Sequence, residues 1–361
     1  MSRTILITAG GTGGHVFPGL AVADAMREAG WRVVWLGARN GMEARLVPAR
    51  GYEMAWVRAG ALRGKALLAK LLLPMNLLVG FWQSARAILR HRPDVVLGMG
   101  GYVAFPGGMM ASLLARPLAV HEQNAIAGLT NRILAGVADR VLVAFPGALR
   151  NAVWTGNPVR EEIARLAPPE QRFAARSGPL RLLVIGRSLG AQALNDCLPR
   201  ALALIPPAER PRVVHQSGER HLDAVAGLYR ELGVEAEPIA FIGDMAQRYA
   251  EADLVICRAG AITVAELAAA GVPSVLVPYP HAVDDHQTAN AAFLVRAGAG
   301  MVLPQGDMNP ERLAQLIRSL DRPWLLQMAV KARALGKPDA TRAVAEHCMR
   351  LADTGRGGAA A

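Results

Sequence analysis

A glycine-rich stretch near residue 10 has the composition of an anion-binding turn. It reads GGTGGH over residues 10–15 and lies between an apolar run, Thr4–Thr8, and a helix-like segment, Gly19–Ala29. Glycines in such a turn free backbone N–H groups, and the following helix directs the positive end of its dipole toward the same place. His15, whose imidazole can titrate near neutral pH, makes the stretch a candidate for proton transfer beside a bound anion.

The spacing of these glycines differs from the dinucleotide-binding fingerprint. Counted from Gly11, the third glycine of G-x-G-x-x-G would fall on Val16. A tight strand–helix turn without a ligand therefore stays open as an alternative for this motif alone.

Two further stretches place suitable residues after predicted strands. Gly98–Tyr102 is a second glycine turn, after Val95–Met99, and the sequence HEQN at 121–124 follows Leu118–Val120. Ligands of open α/β sheets bind at the carboxyl ends of the strands. We expect these residues to contribute to such a site, although ordinary loop polarity would also explain residues 121–124.

The second half of the chain carries residues that suit a nucleotide sugar. Residues 258–266, RAGAITVAE, run from the strand Leu254–Cys257 into an alanine-rich helix, whose first N–H groups can hold a phosphate. Glu266 can accept hydrogen bonds from two vicinal hydroxyls, such as those of a ribose. Gln287 and Asn290 share a helical face, and paired amides suit sugar hydroxyls. The alternatives are a carboxylate that complements the helix dipole and ordinary polarity at a helix start.

These residues need a framework of parallel strands. Short apolar runs alternate with helical segments, which is typical of parallel sheets covered on both faces. The predicted fold class is α/β, with two Rossmann-like doubly wound parallel-sheet domains facing across a cleft. The predicted strands are Thr4–Thr8, Arg32–Leu36, Val95–Met99, Leu118–His121, Val141–Ala144, Leu180–Ile185, Arg212–Gln216, Leu254–Cys257, Ser274–Val277 and Met301–Leu303.

The predicted domain boundary lies at GNP, residues 156–158, since a proline favours an extended residue before it. Residues 1–157 would form the first domain and residues 158–338 the second, with a final helix at about 339–356 returning to the first. The proline-rich stretch Ala167–Pro179 is interpreted as part of the linker.

Composition narrows the class of partner. The chain has 361 residues and a net charge of +11, which favours phosphorylated substrates, anionic lipid or nucleic acid. Aromatic residues amount to 5% and are not interleaved with basic ones, which argues against nucleic acid. The three cysteines lie far apart without metal-ligand spacing, and the N-terminus runs directly into a strand. We therefore expect reduced thiols, no signal peptide and a cytoplasmic location.

The stretch Lys65–Trp82 reads KALLAKLLLPMNLLVGFW and is apolar with basic flanks. A membrane-spanning helix needs about 20 uninterrupted apolar residues, and Lys70, Pro74 and Asn76 break this one. The pattern suits a helix lying in the membrane interface, whereas a core-facing helix is the alternative. The residues expected to contact lipid are Leu68, Leu71, Leu72, Met75 and Trp82.

Together, the motifs resemble those of the GT-B glycosyltransferases. Among these, they are most similar to the bacterial enzymes that add N-acetylglucosamine to undecaprenyl-diphospho-muramoyl-pentapeptide, converting lipid I to lipid II. The resemblance runs nearly the full length. The matching stretches are GGTGGHVFPGLAVA (10–23), LRGK (62–65), PDVVLGMGGYV (93–103), HEQNAIAGLTN (121–131), GNPVR (156–160), CRAGAITVAELAAAG (257–271) and DDHQTANA (284–291).

The resemblance implies that the donor is UDP-N-acetylglucosamine, held mainly by the second domain. It implies that Ser188, in the turn Gly186–Gly190, and Arg160 lie near the diphosphate. Main chain near Ile242 would contact the uracil, and Glu266 would hold the ribose. The implied donor contacts are Thr12, Gly13, Gly14, Asn124, Arg160, Ser188, Ile242, Ala261, Ile262, Thr263, Glu266, Gln287 and Asn290.

An inverting displacement is also implied, in which the acceptor's 4-hydroxyl attacks the anomeric carbon opposite UDP and forms a β-1,4 link. His15 is the candidate base, with Glu122 as the alternative. No Asp-x-Asp pair ends a strand, so we expect no metal site and no required cofactor, and stimulation by a divalent metal is left open. The acceptor diphosphate would contact Gly10, Gly11, Gly100, Gly101 and Tyr102.

The sequence departs from the family pattern in the second domain. The usual GGSQGA turn reads GRSLGA at 186–191, with Arg187 and Leu189 as the changes, and Ala259 stands where a serine is usual. The guanidinium of Arg187 suits phosphate and would take over contacts of the usual turn.

The resemblance implies a peripheral protein on the cytoplasmic face of the bacterial inner membrane. Expected partners are UDP-N-acetylglucosamine, lipid I, anionic inner-membrane lipid and proteins of cell-wall synthesis and division, and no nucleic acid. A glycosyltransferase acting on a lipid such as diacylglycerol and a UDP-sugar 2-epimerase are alternatives of the same architecture. A non-catalytic membrane-recruited scaffold and a nucleic-acid-binding protein are alternatives of other classes.

Overall fold

The computed structural model describes residues 2–58, 73–174, 176–186 and 192–357. The chain forms two compact units, Met1–Val159 with Asp339–Ala361, and Arg160–Pro338. Each unit contains one sheet, and all strand pairings among the described residues are parallel. This confirms the predicted α/β class with two doubly wound parallel sheets.

Within the described residues, the sheet of the first unit has seven strands. They are β1 (Thr4–Ala9), β2 (Arg32–Gly37), β3 (Glu53–Trp56), β4 (Val95–Gly100), β5 (Leu118–Glu122), β6 (Arg140–Val143) and β7 (Val153–Trp154). Their order is β3-β2-β1-β4-β5-β6-β7, so the direction of winding reverses between β1 and β4. Strand β1 is buried along its whole length, which explains its uninterrupted apolar run.

Helices cover both faces of this sheet. They are α1 (Gly13–Glu28), α2 (Glu43–Leu46), α3 (Leu73–His91), α4 (Ala104–Leu113), α5 (Leu129–Leu134) and, from the end of the chain, α15 (Ala340–Gly357). One face carries α1 and α15, where Met26 and Cys348 are fully buried in a common core. The other face carries α3, α4 and α5, with Ile88 and Leu134 in the core.

The sheet of the second unit has six strands in the part of the chain that the structure describes. They are β8 (Arg181–Ile185), β9 (Arg212–Gln216), β10 (Glu237–Ile239), β11 (Leu254–Cys257), β12 (Ser274–Leu276) and β13 (Met301–Val302). Their order is β10-β9-β8-β11-β12-β13, and the reversal lies between β8 and β11.

Helices also surround the second sheet. They are α6 (Glu161–Ala164), α7 (Pro169–Ala174), α8 (Gln192–Ala203), α9 (Leu222–Glu231), α10 (Met245–Glu251), α11 (Ala261–Ala270), α12 (His286–Val295), α13 (Pro310–Arg318) and α14 (Arg322–Leu335). In the described parts of the chain, short 3-10 turns lie at Pro48–Arg50, Pro207–Glu209, Glu219–His221, Val283–Asp285 and Gln305–Asp307.

Each predicted strand is present, and its ends lie within one residue of the expected ones. The strands β3, β7 and β10 were missed, and all three lie at sheet edges. An edge strand pairs with a neighbour on one side only and is less completely buried by helices. Its sequence can therefore contain fewer apolar residues, which makes the strand harder to predict.

The linker interpretation of Ala167–Pro179 is wrong, because this stretch contains α7 and belongs to the second unit. Phe173 is 6% exposed and packs in the core of that unit. The guanidinium of Arg172 donates to the carbonyls of Ala167 and Tyr249 at 2.9 and 3.1 Å. An apolar anchor and backbone hydrogen bonds therefore fix a segment whose prolines and polar residues are typical of a loop.

Helix α3 presents large apolar side chains to solvent. Met75, Leu78 and Trp82 are 62%, 65% and 61% exposed, whereas Ile88 is buried against the sheet. The guanidinium carbon of Arg86 lies 5.7 Å from the centroid of the Trp82 ring. The core-facing alternative therefore does not hold for these three residues.

Leu68, Leu71 and Leu72 lie outside the described residues. No helix in the described parts of the chain is long and apolar enough to cross a membrane.

Candidate functional site

The first candidate site lies where the winding of the first sheet reverses. The glycine stretch at residues 10–14 follows β1. Gly100 ends β4, the neighbouring strand across the reversal, and Gly101 and Tyr102 follow it. The register of these two strands shifts at the end, so that Ala9 pairs with Gly100. Loops after two such strands form the usual ligand crevice of a doubly wound sheet.

Helix α1 begins at Gly13, earlier than the predicted start at Gly19. Thr12 is its N-cap residue, so His15 lies in the first turn of the helix instead of in a turn that precedes it. Glycines and a proline, Pro18, are unfavourable in helices, so the sequence does not predict this start. The first N–H groups of a helix need no helical partner, however, and a proline removes only one backbone hydrogen bond. The hydroxyl of Thr12 lies 3.2 Å from Nδ1 of His15.

The two glycine turns pack directly on each other. Gly100 has a φ of +94°, and a Cβ there would lie 2.9 Å from Cδ2 of His15. Gly101 has a φ of +81°, and a Cβ there would lie 2.2 Å from the carbonyl oxygen of Gly10. Glycine is required at both positions by conformation and by space. The fold thus brings together His15 and the residues expected at the acceptor diphosphate, Gly10, Gly11, Gly100, Gly101 and Tyr102.

Glu122, at the end of β5, is surrounded by donors from its own loop. It is 2% exposed and accepts from the backbone of Asn124 at 2.8 Å, the backbone of Gly128 at 3.2 Å and Nδ2 of Asn131 at 2.9 Å. Burial raises the pKa of Glu122, and these hydrogen bonds oppose the rise. Its Oε1 also accepts from the side chain of Asn124 at 3.3 Å. These contacts favour a role for Glu122 in positioning the loop over the role in proton transfer that was the alternative to His15.

His121 extends this buried network. Its Nε2 lies 2.9 Å from the carbonyl of Gly156, and its Nδ1 lies 3.1 Å from Nε2 of Gln123. Burial lowers the pKa of His121 to about 4, so the ring is neutral and donates from Nε2 to the carbonyl. The polar residues 121–123 therefore hold the loop from beneath, and Asn124 is the partly exposed member of the four.

The second candidate site lies at the reversal between β8 and β11. Gly260 is the N-cap residue of α11 and supplies no capping side chain, and the first N–H groups of a helix can bind an anion. Ala261, Ile262 and Thr263 form this first turn. Gly186 follows β8, whereas Ser188, Arg187 and Leu189 lie outside the described residues.

Glu266 on α11 is paired with Arg160. Nε and Nη2 of Arg160 lie 3.2 and 3.1 Å from Oε1 of Glu266, whose side chain is 8% exposed. Tyr249 donates to the other oxygen, Oε2, at 3.3 Å. Burial raises the pKa of Tyr249 well above its usual value, so it stays a donor. Tyr249 was missed, because nothing around it in the sequence separates it from an ordinary core tyrosine.

The amides of Gln287 and Asn290 are used inside the second unit. Oε1 of Gln287 accepts from the backbone of Tyr279 at 3.0 Å. Asn290 is fully buried, and its Nδ2 donates to the carbonyl of Ala259 at 3.2 Å. Nδ2 of Asn290 thereby holds the turn at Ala259, and contact of both side chains with a sugar stays a prediction. The helical spacing identified a shared face without showing its depth in the fold.

Arg258, the first residue of the motif at 258–266, is a buried cation whose contacts the local sequence does not reveal. It is 4% exposed, and its guanidinium donates to the carbonyl of Val277 at 3.2 Å and to Oε1 of Gln305 at 2.6 Å. It thereby ties the turn after β11 to the loop after β12. Ile242 is 2% exposed, while the neighbouring Phe241 is 77% exposed. Within the described residues, no three His, Cys, Asp or Glu side chains are grouped as metal ligands would be.

Comparison with known proteins matches both units to one family. The glycosyltransferase family 28 N-terminal domain matches residues 5–143, and the C-terminal domain of that family matches residues 181–344. A protein of Dechloromonas aromatica (strain RCB) is 61% identical over 352 residues, covering 98% of this chain and 100% of that protein. One of Aromatoleum aromaticum is 65% identical over 350 residues, covering 97% and 98%. Both carry the name UDP-N-acetylglucosamine--N-acetylmuramyl-(pentapeptide) pyrophosphoryl-undecaprenol N-acetylglucosamine transferase.

Solved structures agree with this assignment. The crystal structure of Acinetobacter baumannii MurG is 40% identical, with a TM-score of 0.85 over 96% of this chain and 99% of that one. The calicheamicin glycosyltransferase CalG4, at 19% identity and a TM-score of 0.65 over 97% and 98%, shares the fold alone. The chain belongs to glycosyltransferase family 28.

Proposed function

We propose that this chain transfers N-acetylglucosamine from UDP-N-acetylglucosamine to the 4-hydroxyl of the muramoyl sugar of undecaprenyl-diphospho-muramoyl-pentapeptide. This hexosyl transfer converts lipid I to lipid II in peptidoglycan synthesis. The names and the 61% and 65% identity of the relatives supply the reaction. Within the chain, the observation that carries the proposal is the packing of His15 against the Gly100 turn, at the reversal of the first sheet.

His15 is the proposed base. When its Nδ1–H donates to Thr12 Oγ1, 3.2 Å away, the lone pair lies on Nε2. The acceptor's 4-hydroxyl oxygen forms a bond to the anomeric carbon while its proton passes to Nε2. The bond from that carbon to the diphosphate oxygen breaks on the opposite face, and UDP leaves with the electron pair. The anomeric centre is thereby inverted.

The second unit would supply most of the donor contacts in this proposal. Glu266 would hold the ribose hydroxyls, with Arg160 and Tyr249 fixing its carboxylate. The N-terminus of α11 and the cation of Arg160 would stabilise the charge that develops on the leaving diphosphate. Backbone near the buried Ile242 would contact the uracil, and Gln287 and Asn124 would contact sugar hydroxyls.

We further propose that the reaction needs no bound cofactor. The chain's own helix N-terminus and guanidinium would supply the positive charge that a metal ion supplies in other transferases. Whether a divalent metal stimulates the transfer is an outcome that the assay below can measure directly.

The proposed location is the cytoplasmic face of the inner membrane, where the lipid acceptor lies. Support comes from the exposed apolar side chains of α3 and the Arg86 guanidinium beside Trp82. Anionic inner-membrane lipid, together with proteins of cell-wall synthesis and division, would be the partners, and nucleic acid would not.

The deciding experiment measures transfer of radiolabelled N-acetylglucosamine from UDP to a short-chain analogue of lipid I. UDP-glucose and UDP-N-acetylgalactosamine serve as donor controls, and diacylglycerol serves as an alternative acceptor. Selective transfer to the muramoyl acceptor is expected, with and without added chelator. Transfer to diacylglycerol alone, or tight UDP binding without any transfer, contradicts the proposal.

A further inference from the structure

A buried carboxylate lies directly beneath the glycine stretch of the first unit. Glu43 is the first residue of α2 and is fully buried. Its Oε2 accepts from the backbone N–H of Gly11 at 3.2 Å, and its Oε1 accepts from the backbone N–H of Ala38 at 3.1 Å. Gly11 follows β1 and Ala38 follows β2, so one side chain joins the loops after two adjacent strands.

The chain leaves room for this carboxylate at three glycines. A Cβ at Gly10 would lie 2.5 Å from Oε1 of Glu43, and one at Gly37 would lie 2.7 Å from its Cγ. A Cβ at Gly41 would come still closer to its carboxylate oxygens. Side chains at these positions would displace the carboxylate from both N–H donors.

The bond to Gly11 fixes the point at which α1 begins. Gly11 has a φ of +91°, a conformation that a hydrogen bond on its N–H helps to hold. Thr12 follows as the N-cap residue, and His15 is bonded to Thr12. The same N–H is already engaged by Glu43, so an anion at this turn would rely on the N–H groups of Gly13 and Gly14.

We propose that Glu43 is a positioning residue for the acceptor side of the reaction. Its carboxylate holds the glycine turn so that the first N–H groups of α1 and the His15 imidazole face the acceptor together. Tyr102 belongs to the same arrangement, because its ring lies close to Gly11. A Cβ placed on Gly11 would be only 3.1 Å from Cε1 of that ring. This inference rests on the proposed function for its acceptor, and on the described contacts for its geometry.

The test compares Glu43→Gln and Glu43→Asp with Asp94→Asn in the full chain. Asp94 is a matched control, since its Oδ2 accepts from the backbone of Thr4 at 2.8 Å, at the opposite end of β1. Glutamine puts an N–H against one of the two backbone donors, and aspartate is too short to reach both. Each Glu43 variant therefore loses one hydrogen bond to a charged group.

For Glu43→Gln we expect the acceptor KM to rise about tenfold or more and kcat to fall, with the UDP-N-acetylglucosamine KM within about twofold of the parent. Glu43→Asp should change the same constants in the same direction. Asp94→Asn should keep the parent acceptor constants even where its Tm is lower. Removal of a negative charge alone would instead improve binding of an anionic acceptor, so a lower acceptor KM in Glu43→Gln overturns the proposal.

Hydrogen exchange at residues 10–20 gives a readout that does not depend on the acceptor. Exchange there should be faster in Glu43→Gln than in the parent, and unchanged in Asp94→Asn. Parent-like exchange in Glu43→Gln, or parallel changes in both substrate constants, overturns the positioning role. Absence of transfer by the parent protein would count against the proposed function, while the exchange result would still decide the geometry.

Discussion

Arg160 and Glu266 are joined through a single carboxylate oxygen, with Nε at 3.2 Å and Nη2 at 3.1 Å from Oε1. The family resemblance assigns these residues to different parts of the donor, the diphosphate and the ribose. In the proposed donor site, one ion pair would therefore hold both parts. Tyr249 completes the arrangement on Oε2, so the carboxylate orientation is set before a nucleotide binds.

The first prediction concerns this pair. Arg160→Ala should raise the UDP-N-acetylglucosamine KM about tenfold or more, because the diphosphate loses a cation and Glu266 loses the group that orients it. In a double-mutant cycle with Glu266→Gln, the two losses should be strongly non-additive. Calorimetric titration with UDP provides the measurement. Arg165→Ala, which removes an exposed arginine paired with Glu161, serves as the control. Additive losses would show that the two side chains act separately.

The second prediction concerns the base. His15→Ala should lower kcat by about 10²–10⁴, because the proposed acceptor of the hydroxyl proton is removed, while UDP affinity stays unchanged. Steady-state kinetics with the short-chain acceptor measures this, and His347→Ala on α15 controls for loss of a histidine in the same unit. A kcat for His15→Ala close to that of the control would assign the base elsewhere.

The third prediction separates space from conformation at the glycine turns. Gly101 and Gly147 have φ values of +81° and +83°, but a Cβ at Gly147 meets no atom within 4 Å. Gly101→Ala should therefore lower the free energy of unfolding by about 1–3 kcal/mol more than Gly147→Ala, since it alone collides with Gly10. Urea denaturation of both variants gives the comparison. Equal losses would mean that the turns separate at little cost.

The fourth prediction concerns pH. Burial lowers the pKa of His121 and of His215 from 6.5 to about 4 in the folded chain. Between about pH 4 and pH 6.5 the unfolded chain binds more protons than the folded one. The free energy of unfolding is therefore highest above about pH 6.5 and decreases as the pH falls through this range. The full loss by pH 4 is about 3 kcal/mol for each histidine. Urea unfolding at pH 7 and pH 5 should show a smaller difference for His215→Gln than for the parent, and an identical difference would contradict the burial argument.

The fifth prediction concerns the membrane surface. Trp82→Ala should weaken binding to anionic vesicles about tenfold, because a large exposed aromatic side chain no longer enters the interface. Trp324→Ala in the second unit is the matched control, since Trp324 is also exposed, at 42%. Vesicle sedimentation across a salt series gives the measurement. Equal binding of the parent to neutral vesicles would exclude the electrostatic part of the interaction.

The sequence predicts the framework of this site better than its supports. Apolar runs followed by glycine turns mark β1 and β4, and the reversal between them brings His15 to Gly100. Glu43 could not be found in this way, because a glutamate at the start of a four-residue helix resembles a surface residue. Its role follows from a tertiary contact with the loop after β1, which local sequence does not encode.

How deeply each side chain is buried also could not be predicted from local sequence patterns. Asn290 and Gln287 lie on one helical face, yet Asn290 is fully buried while Gln287 is partly exposed. Tyr249 and Glu266 come from different helices, and their hydrogen bond depends on how α10 and α11 pack. Spacing identifies which residues share a face, whereas packing decides which of them reach a ligand.

Helix α15 also sets an order of events during synthesis. The core of the first unit includes four residues of α15 that pack with those of α1: Val344, Ala345, Cys348 and Ala352. Until these residues leave the ribosome, the α1 side of this core stays uncovered. The second unit is continuous from Arg160 to Pro338 and is complete earlier. The half of the chain that is translated first is therefore the half that finishes folding last, and its apolar α1 face needs protection from aggregation in the interval.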